Sequence, residues 1–234
     1  MKIALLGYGK MGKVIEKVAL ERGHEIVLRK DNAATFDGLN QADVAIEFSV
    51  PSSAVENISA CFDRLVPVVC GTTGWLDQYD LVTKLCIDKQ AAFLYGSNFS
   101  LGVNLFFELN RKLAQLMAPH TQYRVSMEEI HHTQKLDAPS GTAISLANDI
   151  VELTKLNGWA LHDAQPNEIE ITAKRIENVP GTHSVFYDSA VDQIEIKHTA
   201  HSREGFALGS VLAAEWIIGK TGVFSMKDVL QFEK

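Results

Sequence analysis

Residues 129–143 read Glu-Ile-His-His-Thr-Gln-Lys-Leu-Asp-Ala-Pro-Ser-Gly-Thr-Ala. Two adjacent histidines, His131 and His132, precede Lys135 and a helix-start signature at Pro139-Ser140-Gly141-Thr142. Histidine is the side chain whose proton is most easily delivered near neutral pH, so the pair suits general acid–base work. Lys135 supplies a fixed positive charge, and the Ser140, Gly141 and Thr142 N–H groups at a helix N-terminus form a natural carboxylate seat. Pro139 and the helix-suited stretch 143–150 support that start, with Ser140 as N-cap whether or not it binds a ligand. Zinc ligation is the rival reading for the histidines. Adjacent residues in an extended chain point opposite ways, and no third ligand lies at a usual spacing, so proton delivery is preferred and no metal ligand is assigned.

A second signal opens the chain. Gly7-Tyr8-Gly9-Lys10-Met11-Gly12 directly follows a strand-like run and begins a helix-like one, the context that a Gly-x-Gly-x-x-Gly dinucleotide loop requires. Gly7 permits the tight turn, Gly9 lets the backbone approach a pyrophosphate, and Gly12 lets helix and strand pack closely. At the end of the second strand, where an NAD-preferring fold places Asp or Glu, the sequence has Arg29-Lys30. Two cations suit a 2′-phosphate, which favours NADPH, while neighbouring Asp31 keeps NADH open. Cys70-Gly71-Thr72-Thr73-Gly74 ends the fourth strand, where its glycines allow close approach and its hydroxyls can orient a carboxamide.

The elements that must hold these groups fall into two patterns. Short apolar runs at 3–6, 26–28, 44–48, 66–70 and 91–95 alternate with helix-length segments at 10–21, 52–63 and 76–89. That rhythm implies a Rossmann-like, doubly wound parallel sheet of α/β class. The connection between Leu28 and Val44, with Asp31-Asn32 and Asp37-Gly38, reads as loop, so one crossover helix is missing. Beyond Leu101 a helix at 105–117 stops before Pro119, and Tyr123, Val125 and Met127 then alternate with polar residues. A second helix starts near Ser140. Residues 168–198 are strand-like, broken at Pro180-Gly181 and near 188–192, which suggests an α+β domain with a mixed or antiparallel sheet covered on one face. A final helix at 206–218 carries Trp216, Ile217 and Ile218, which need burial, and packs back on the first domain. The expected division is therefore 1–101 with 206–234 for the dinucleotide, and 102–205 for substrate and oligomerisation.

Composition narrows the partners. The net charge of −7 disfavours nucleic acid, whose phosphates would repel the chain. The three cysteines, Cys61, Cys70 and Cys86, show neither a disulfide framework nor a zinc ribbon. No apolar run approaches the roughly 20 residues that span a bilayer. The short strand after Met1 does not resemble a signal peptide, so a cytoplasmic protein without a membrane partner is expected.

With these residues in view, the chain resembles the dihydrodipicolinate reductase (4-hydroxy-tetrahydrodipicolinate reductase) family over nearly its whole length. The matching pieces are residues 7–12, Glu47-Phe48-Ser49, Gly71-Thr72-Thr73-Gly74, Asn98-Phe99-Ser100, the segment 129–143, Pro180-Gly181-Thr182, and Ser202-Arg203 followed by Phe206-Ala207. The His-His-x-x-Lys-x-Asp-Ala-Pro-Ser-Gly-Thr-Ala run is highly specific to it. The resemblance implies that NADPH or NADH reduces a small doubly carboxylated heterocycle on the route to lysine and diaminopimelate. It makes His131 the proton donor and Lys135 its charged partner, with His132, Lys135, Ser140, Gly141 and Thr142 binding the substrate carboxylates. Gly7, Gly9, Lys10, Met11, Gly12, Arg29, Lys30, Gly71, Thr72, Thr73, Ser97, Asn98 and Phe99 would contact the cofactor. Phe99 judged alone is more often a core residue. A homotetramer, built through the substrate-domain sheet, is also implied by kinship. Four departures bear on the cofactor grip: a shorter phosphate loop, Lys10 where Arg is usual, Glu47 for a common Asp, and a short segment after the second strand.

Two other readings share the glycine loop. An aspartate or diaminopimelate dehydrogenase gives no reason for the full His-His-to-Ala run. A dinucleotide-sensing module would leave the His/Lys cluster idle. Glu128 and Glu129 read as ordinary strand residues, and His24, His120, His162, His183, His198 and His201 as surface or packing residues.

Overall fold

Strands buried on both faces carry unbroken apolar runs, because each successive side chain meets a covering helix. In the computed structural model, which describes residues 1–31, 35–202 and 204–231, the first runs take that form. They fold as β1 (Lys2–Leu6), α1 (Lys10–Glu21), β2 (Glu25–Lys30), β3 (Val44–Glu47), α2 (Pro51–Phe62), β4 (Val68–Cys70), α3 (Tyr79–Asp88) and β5 (Ala92–Tyr95). The chain continues through α4 (Leu101–Met117), β6 (Arg124–His131), α5 (Gly141–Leu153), β7 (Gly158–Leu161), β8 (Glu168–Arg175), β9 (Gly181–Asp188) and β10 (Gln193–Ala200). It ends with α6 (Glu204–Ile217), β11 (Gly222–Phe224) and α7 (Met226–Val229). Two compact units result, one of Met1–Leu101 with Glu204–Lys234, the other of Gly102–Arg203. Asn32, read from sequence as part of a loop, and Arg203, part of the family motif, lie outside the described residues.

The first unit holds a six-stranded parallel sheet in the order β11-β5-β4-β3-β1-β2. Alternate residues of each strand feed two cores. Ile3, Leu5, Ile46, Val69 and Leu94 pack with α1 and α6, through Ile15, Ala19, Val211 and Ala214. Ala4, Leu6, Ala45, Val68 and Phe93 pack with α2 and α3, through Ile58, Cys61, Val82 and Cys86. Between β2 and β3 the described residues hold only a short 3₁₀ turn, Leu39–Gln41, so the missing crossover read from sequence is found. All three cysteines are free and buried, and burial alone pushes the Cys86 thiol up to about 11.

The second unit's sheet runs β10-β9-β6-β8-β7 and is mixed. β6 pairs antiparallel with β9 and parallel with β8. α4 and α5 cover one face, burying Phe106, Ala114, Leu146 and Ile150 against Val125, Met127, Ile169, Ile171 and Val185.

Two strands escape the sequence pattern. β7 and β11 are short, begin with glycine and lack polar–apolar alternation, so only their neighbours in the sheet define them. The apolar end of α6 also divides differently from expectation. Ile217 is fully buried and Trp216 meets the Phe224 ring at 5.1 Å, whereas Ile218, just past the helix, is exposed.

Candidate active site

The alternation of β6 decides which of its side chains meet. Val125, Met127, Glu129 and His131 point to the face covered by helices. Register then sets Glu129 opposite His183 on β9 and His131 opposite Arg175 on β8. Four ionisable groups, distant in sequence, are thereby brought to one end of the sheet.

Glu129 is the hub. It is fully buried, and its Oε2 accepts a hydrogen bond from the Ser140 N–H at 2.8 Å. The same oxygen lies 3.7 Å from His131 Nδ1 and 3.9 Å from His183 Nε2. Its other oxygen, Oε1, accepts from both terminal nitrogens of Arg175 at 3.2 Å. Burial works to raise the Glu129 carboxyl, but Ser140, His131 and His183 together hold the group below the usual carboxylate range. The His131 and His183 rings meet edge to face, 5.0 Å apart. Burial pushes His131 below its ordinary value against the opposing pull of Glu129, and Lys135 and Arg175 push the same way as burial. His183 falls to about 4, chiefly through burial.

Ser140 caps α5 by accepting from Ala143 N, and its hydroxyl lies 3.0 Å from His183 Nε2. A Cβ on Gly141 would meet nothing within 4 Å, so the start of the helix is open to a ligand. Lys135 Nζ contacts both Asp137 carboxylate oxygens, at 2.8 and 2.7 Å. Arg175 holds this loop from below, donating to the Lys135 carbonyl at 3.2 Å and the Asp137 carbonyl at 2.6 Å. His132 faces away from its neighbour. With Thr133 and Gln134 it borders a cleft of about 480 Å³ whose other wall is Glu177, Asn178, Val179 and Pro180.

His131, Lys135 and the α5 start thus lie in one network, while His132 belongs to the adjoining cleft. Glu129 corrects the sequence reading, which takes it as an ordinary strand residue; His183, read as a surface or packing residue, is buried against His131. Arg175 was not singled out at all. One ligand-type atom from each of Glu129, His131 and His183 also lies within 4.8 Å of the others, a juxtaposition that sequence spacing does not show. The available signal was weak: a glutamate and a histidine at apolar positions of alternating strands.

In the first unit the three loop glycines have distinct surroundings. Gly7 has φ +102°, and a Cβ there would lie 2.1 Å from the Phe48 carbonyl oxygen. At Gly12 a Cβ would lie 2.3 Å from the Gly7 carbonyl oxygen, whereas at Gly9 it would meet nothing. The Gly7 and Tyr8 N–H groups both donate to the Lys30 carbonyl, and the first helical bond of α1 runs from Lys13 N to Gly9 O. The Lys10, Met11 and Gly12 N–H groups therefore stand at an open helix N-terminus, a fit for phosphate.

The two cations on β2 are placed differently. Arg29 pairs with Glu16, whereas the Lys30 ammonium lies 4.9 Å from the Phe36 ring centre and borders a cavity of about 480 Å³ with Ser52, Ser53 and Glu56. In the loop after β4, Thr72 Oγ1 accepts from Ser49 N at 2.8 Å, and Thr73 is exposed. Gly71 lies against the Phe48 ring, which leaves no room for a side chain. Ser97 is exposed, and the Asn98 side chain accepts from Ser100 N. The Phe99 ring is buried in the core beside Phe48, so its backbone is what it can offer a ligand.

Both halves of the chain match family models: dihydrodipicolinate reductase, N-terminus, over residues 1–99, and dihydrodipicolinate reductase, C-terminus, over residues 102–230. A curated 4-hydroxy-tetrahydrodipicolinate reductase from Christiangramia forsetii is 58% identical over 233 residues, covering 98% of each chain. Another from Methanoregula boonei is 35% identical over 217 residues, covering 91% of this chain and 84% of the relative. Among solved structures, dipicolinate-bound dihydrodipicolinate reductase from Paenisporosarcina sp. TG-14 shares the fold, with a TM-score of 0.76 at 21% identity, covering 97% of this chain and 98% of that one.

Proposed function

The chain belongs to the dihydrodipicolinate reductase family, and on that footing we propose that it reduces 4-hydroxy-tetrahydrodipicolinate, or the dihydrodipicolinate formed from it, to tetrahydrodipicolinate. One observation carries the assignment of roles: a buried imidazole, an ammonium and an open helix N-terminus lie within one network of the second unit.

NAD(P)H, when bound, supplies the hydride, and the Lys10, Met11 and Gly12 N–H groups would hold its pyrophosphate. Lys30 and Arg29 are the candidates for a 2′-phosphate, which makes NADPH the preferred cofactor. Gly71, Thr72, Thr73, Ser97, Asn98 and the Phe99 backbone would hold the nicotinamide end.

Reduction of a C=N or C=C bond leaves negative charge on the ring, and one proton must neutralise it. His131 delivers that proton, directly or through a linked water, and recovers another from solvent. Glu129 lies 3.7 Å from its Nδ1, and Gly181 lies beside Nε2, where a Cβ would press on that nitrogen at 3.2 Å. The Lys135 ammonium neutralises one substrate carboxylate, exchanging Asp137 for it. The Gly141 and Thr142 N–H groups and the Ser140 hydroxyl receive the second, and His132 extends the site on its own side.

The two domains of the assignment are the dinucleotide unit, 1–101 with the C-terminal segment, and the substrate unit. Among the described residues no helix is long and apolar enough to cross a membrane. A cytoplasmic homotetramer, joined through the uncovered face of the second sheet, completes the proposal.

His131→Ala tests it. Substrate-dependent NADPH oxidation should fall by about 10²–10⁴-fold with the fold and cofactor binding retained. Near-normal turnover would reject the role of His131.

A further inference from the structure

Glu129 is a fully buried carboxylate, and such a group is retained only where partners compensate its lost hydration. Its partners come from three places in the chain. Arg175 arrives from β8, the Ser140 N–H from the start of α5, and His183 from β9. Arg175 in turn donates to the carbonyls of Lys135 and Asp137. His131, two residues along the same strand, has a buried Nδ1 with no hydrogen-bond partner, and the nearest carboxylate oxygen belongs to Glu129. Removing Arg175 leaves the Glu129 charge uncompensated, so the network holds its members in one arrangement.

We propose that Glu129, clamped by Arg175, is the positioning residue of this enzyme: its charge, 3.7 Å from Nδ1, orients the His131 imidazole, and through Arg175 it holds the loop that presents Lys135. The inference rests on the roles of His131 and Lys135 proposed above. Glu129, fully buried, exposes no atom to a ligand. It sets where the proton and the cation stand before either arrives, and small misplacement of such groups is costly. The groups facing His131 are Glu129 on its own strand, His183 from β9, Arg175 from β8, and Lys135 and Asp137 from the loop. Glu129 is the strongest charge acting to keep the ring protonated, with Lys135 and Arg175 opposing.

The same cluster could be read as a metal site. Its charge argues otherwise: the cluster's one carboxylate is already engaged by a guanidinium, so a divalent cation would have to compete with Arg175 for it.

The test combines pH–rate profiles with carbon-13 histidine NMR on the full chain, the His131 signal being assigned through His131→Asn. In Glu129→Gln, kcat should drop roughly ten- to a hundredfold, and KM should rise as the Lys135 loop loses its hold. The His131 midpoint should move to lower pH, carrying with it the limb on which kcat/KM declines as the donor deprotonates. Glu129→Asp should recover much of both. A His131 midpoint unmoved in folded Glu129→Gln overturns the proposal. Should Glu129→Gln fail to fold, Glu129→Gln/Arg175→Met removes both charges together. Its His131 midpoint should shift the same way by less, because the effect of Glu129 exceeds that of Arg175; a wild-type midpoint overturns the proposal there too. If wild type shows no turnover yet the midpoint moves, the reading of the reaction falls and the positioning of His131 stands. Stoichiometric uptake of added Zn²⁺ by wild type, lost in His183→Gln, would overturn the proposal by making the cluster a metal site.

Discussion

The glycine loop of the first unit and the Glu129 network of the second prepare for charge by opposite means. In the loop, side chains are removed so that backbone can be exposed: Gly9 faces open space, and Gly7 and Gly12 stand where any Cβ would strike a carbonyl oxygen. No charge is buried there. In the network, side chains carry the charges and are desolvated, and each is balanced by a partner from another strand or helix. Backbone donors need only the right turn, which neighbouring residues dictate. A buried carboxylate needs partners in three dimensions, which only sheet register supplies.

The difference breaks most visibly at Gly7. Gly7→Ala combines positive φ with a 2.1 Å overlap on backbone, so a loss of more than about 3 kcal/mol in urea unfolding is expected. Gly9→Ala, with nothing near its Cβ, should unfold at the wild-type midpoint and still lose affinity for NADPH measured by fluorescence. Equal stability losses in the two variants would show that the loop is not divided into structural and ligand-facing glycines.

That division explains what could be read in advance. The loop, the parallel sheet and the helix cap at Ser140 are local: turn residues, apolar runs and a capping hydroxyl stand next to the elements they define. His131 and Lys135 were legible through their contiguous run. Glu129, His183 and Arg175 were not, because their significance lies in pairings between β6, β9 and β8 that no short window contains. A histidine on an alternating strand and a glutamate beside it look the same whether solvated or locked together. The short strands β7 and β11 were hidden for the same reason, being defined by neighbours more than by pattern.

His183 offers a sharper separation of the two regions, at a somewhat smaller magnitude. Its folded value of about 4 lies below the ordinary 6.5, so the folded state favours the neutral ring. The stability this reflects is present above pH 6.5 and is lost as pH falls towards 4. Between pH 7 and 4.5 wild type should lose about 2–3 kcal/mol that His183→Gln does not lose, read from urea midpoints at both pH values. Parallel losses in the two proteins would mean that the imidazole is hydrated in the folded state and that the buried network is looser than its geometry implies.

The smallest expected effect concerns the two cations at the end of β2. Lys30 borders the cavity with Ser52 and Ser53, whereas the Arg29 guanidinium is paired with Glu16. Among the described residues Lys30 makes no ion pair and can meet a 2′-phosphate at once, but Arg29 must first give up Glu16. Lys30→Ala should therefore raise KM for NADPH about tenfold, roughly 1.4 kcal/mol, and leave KM for NADH nearly unchanged. Arg29→Ala should change the ratio less. If Arg29→Ala proves the stronger variant, the Glu16 pair is a resting arrangement that the phosphate displaces, and this corner of the first unit then works as the second does, by exchanging one ionic partner for another.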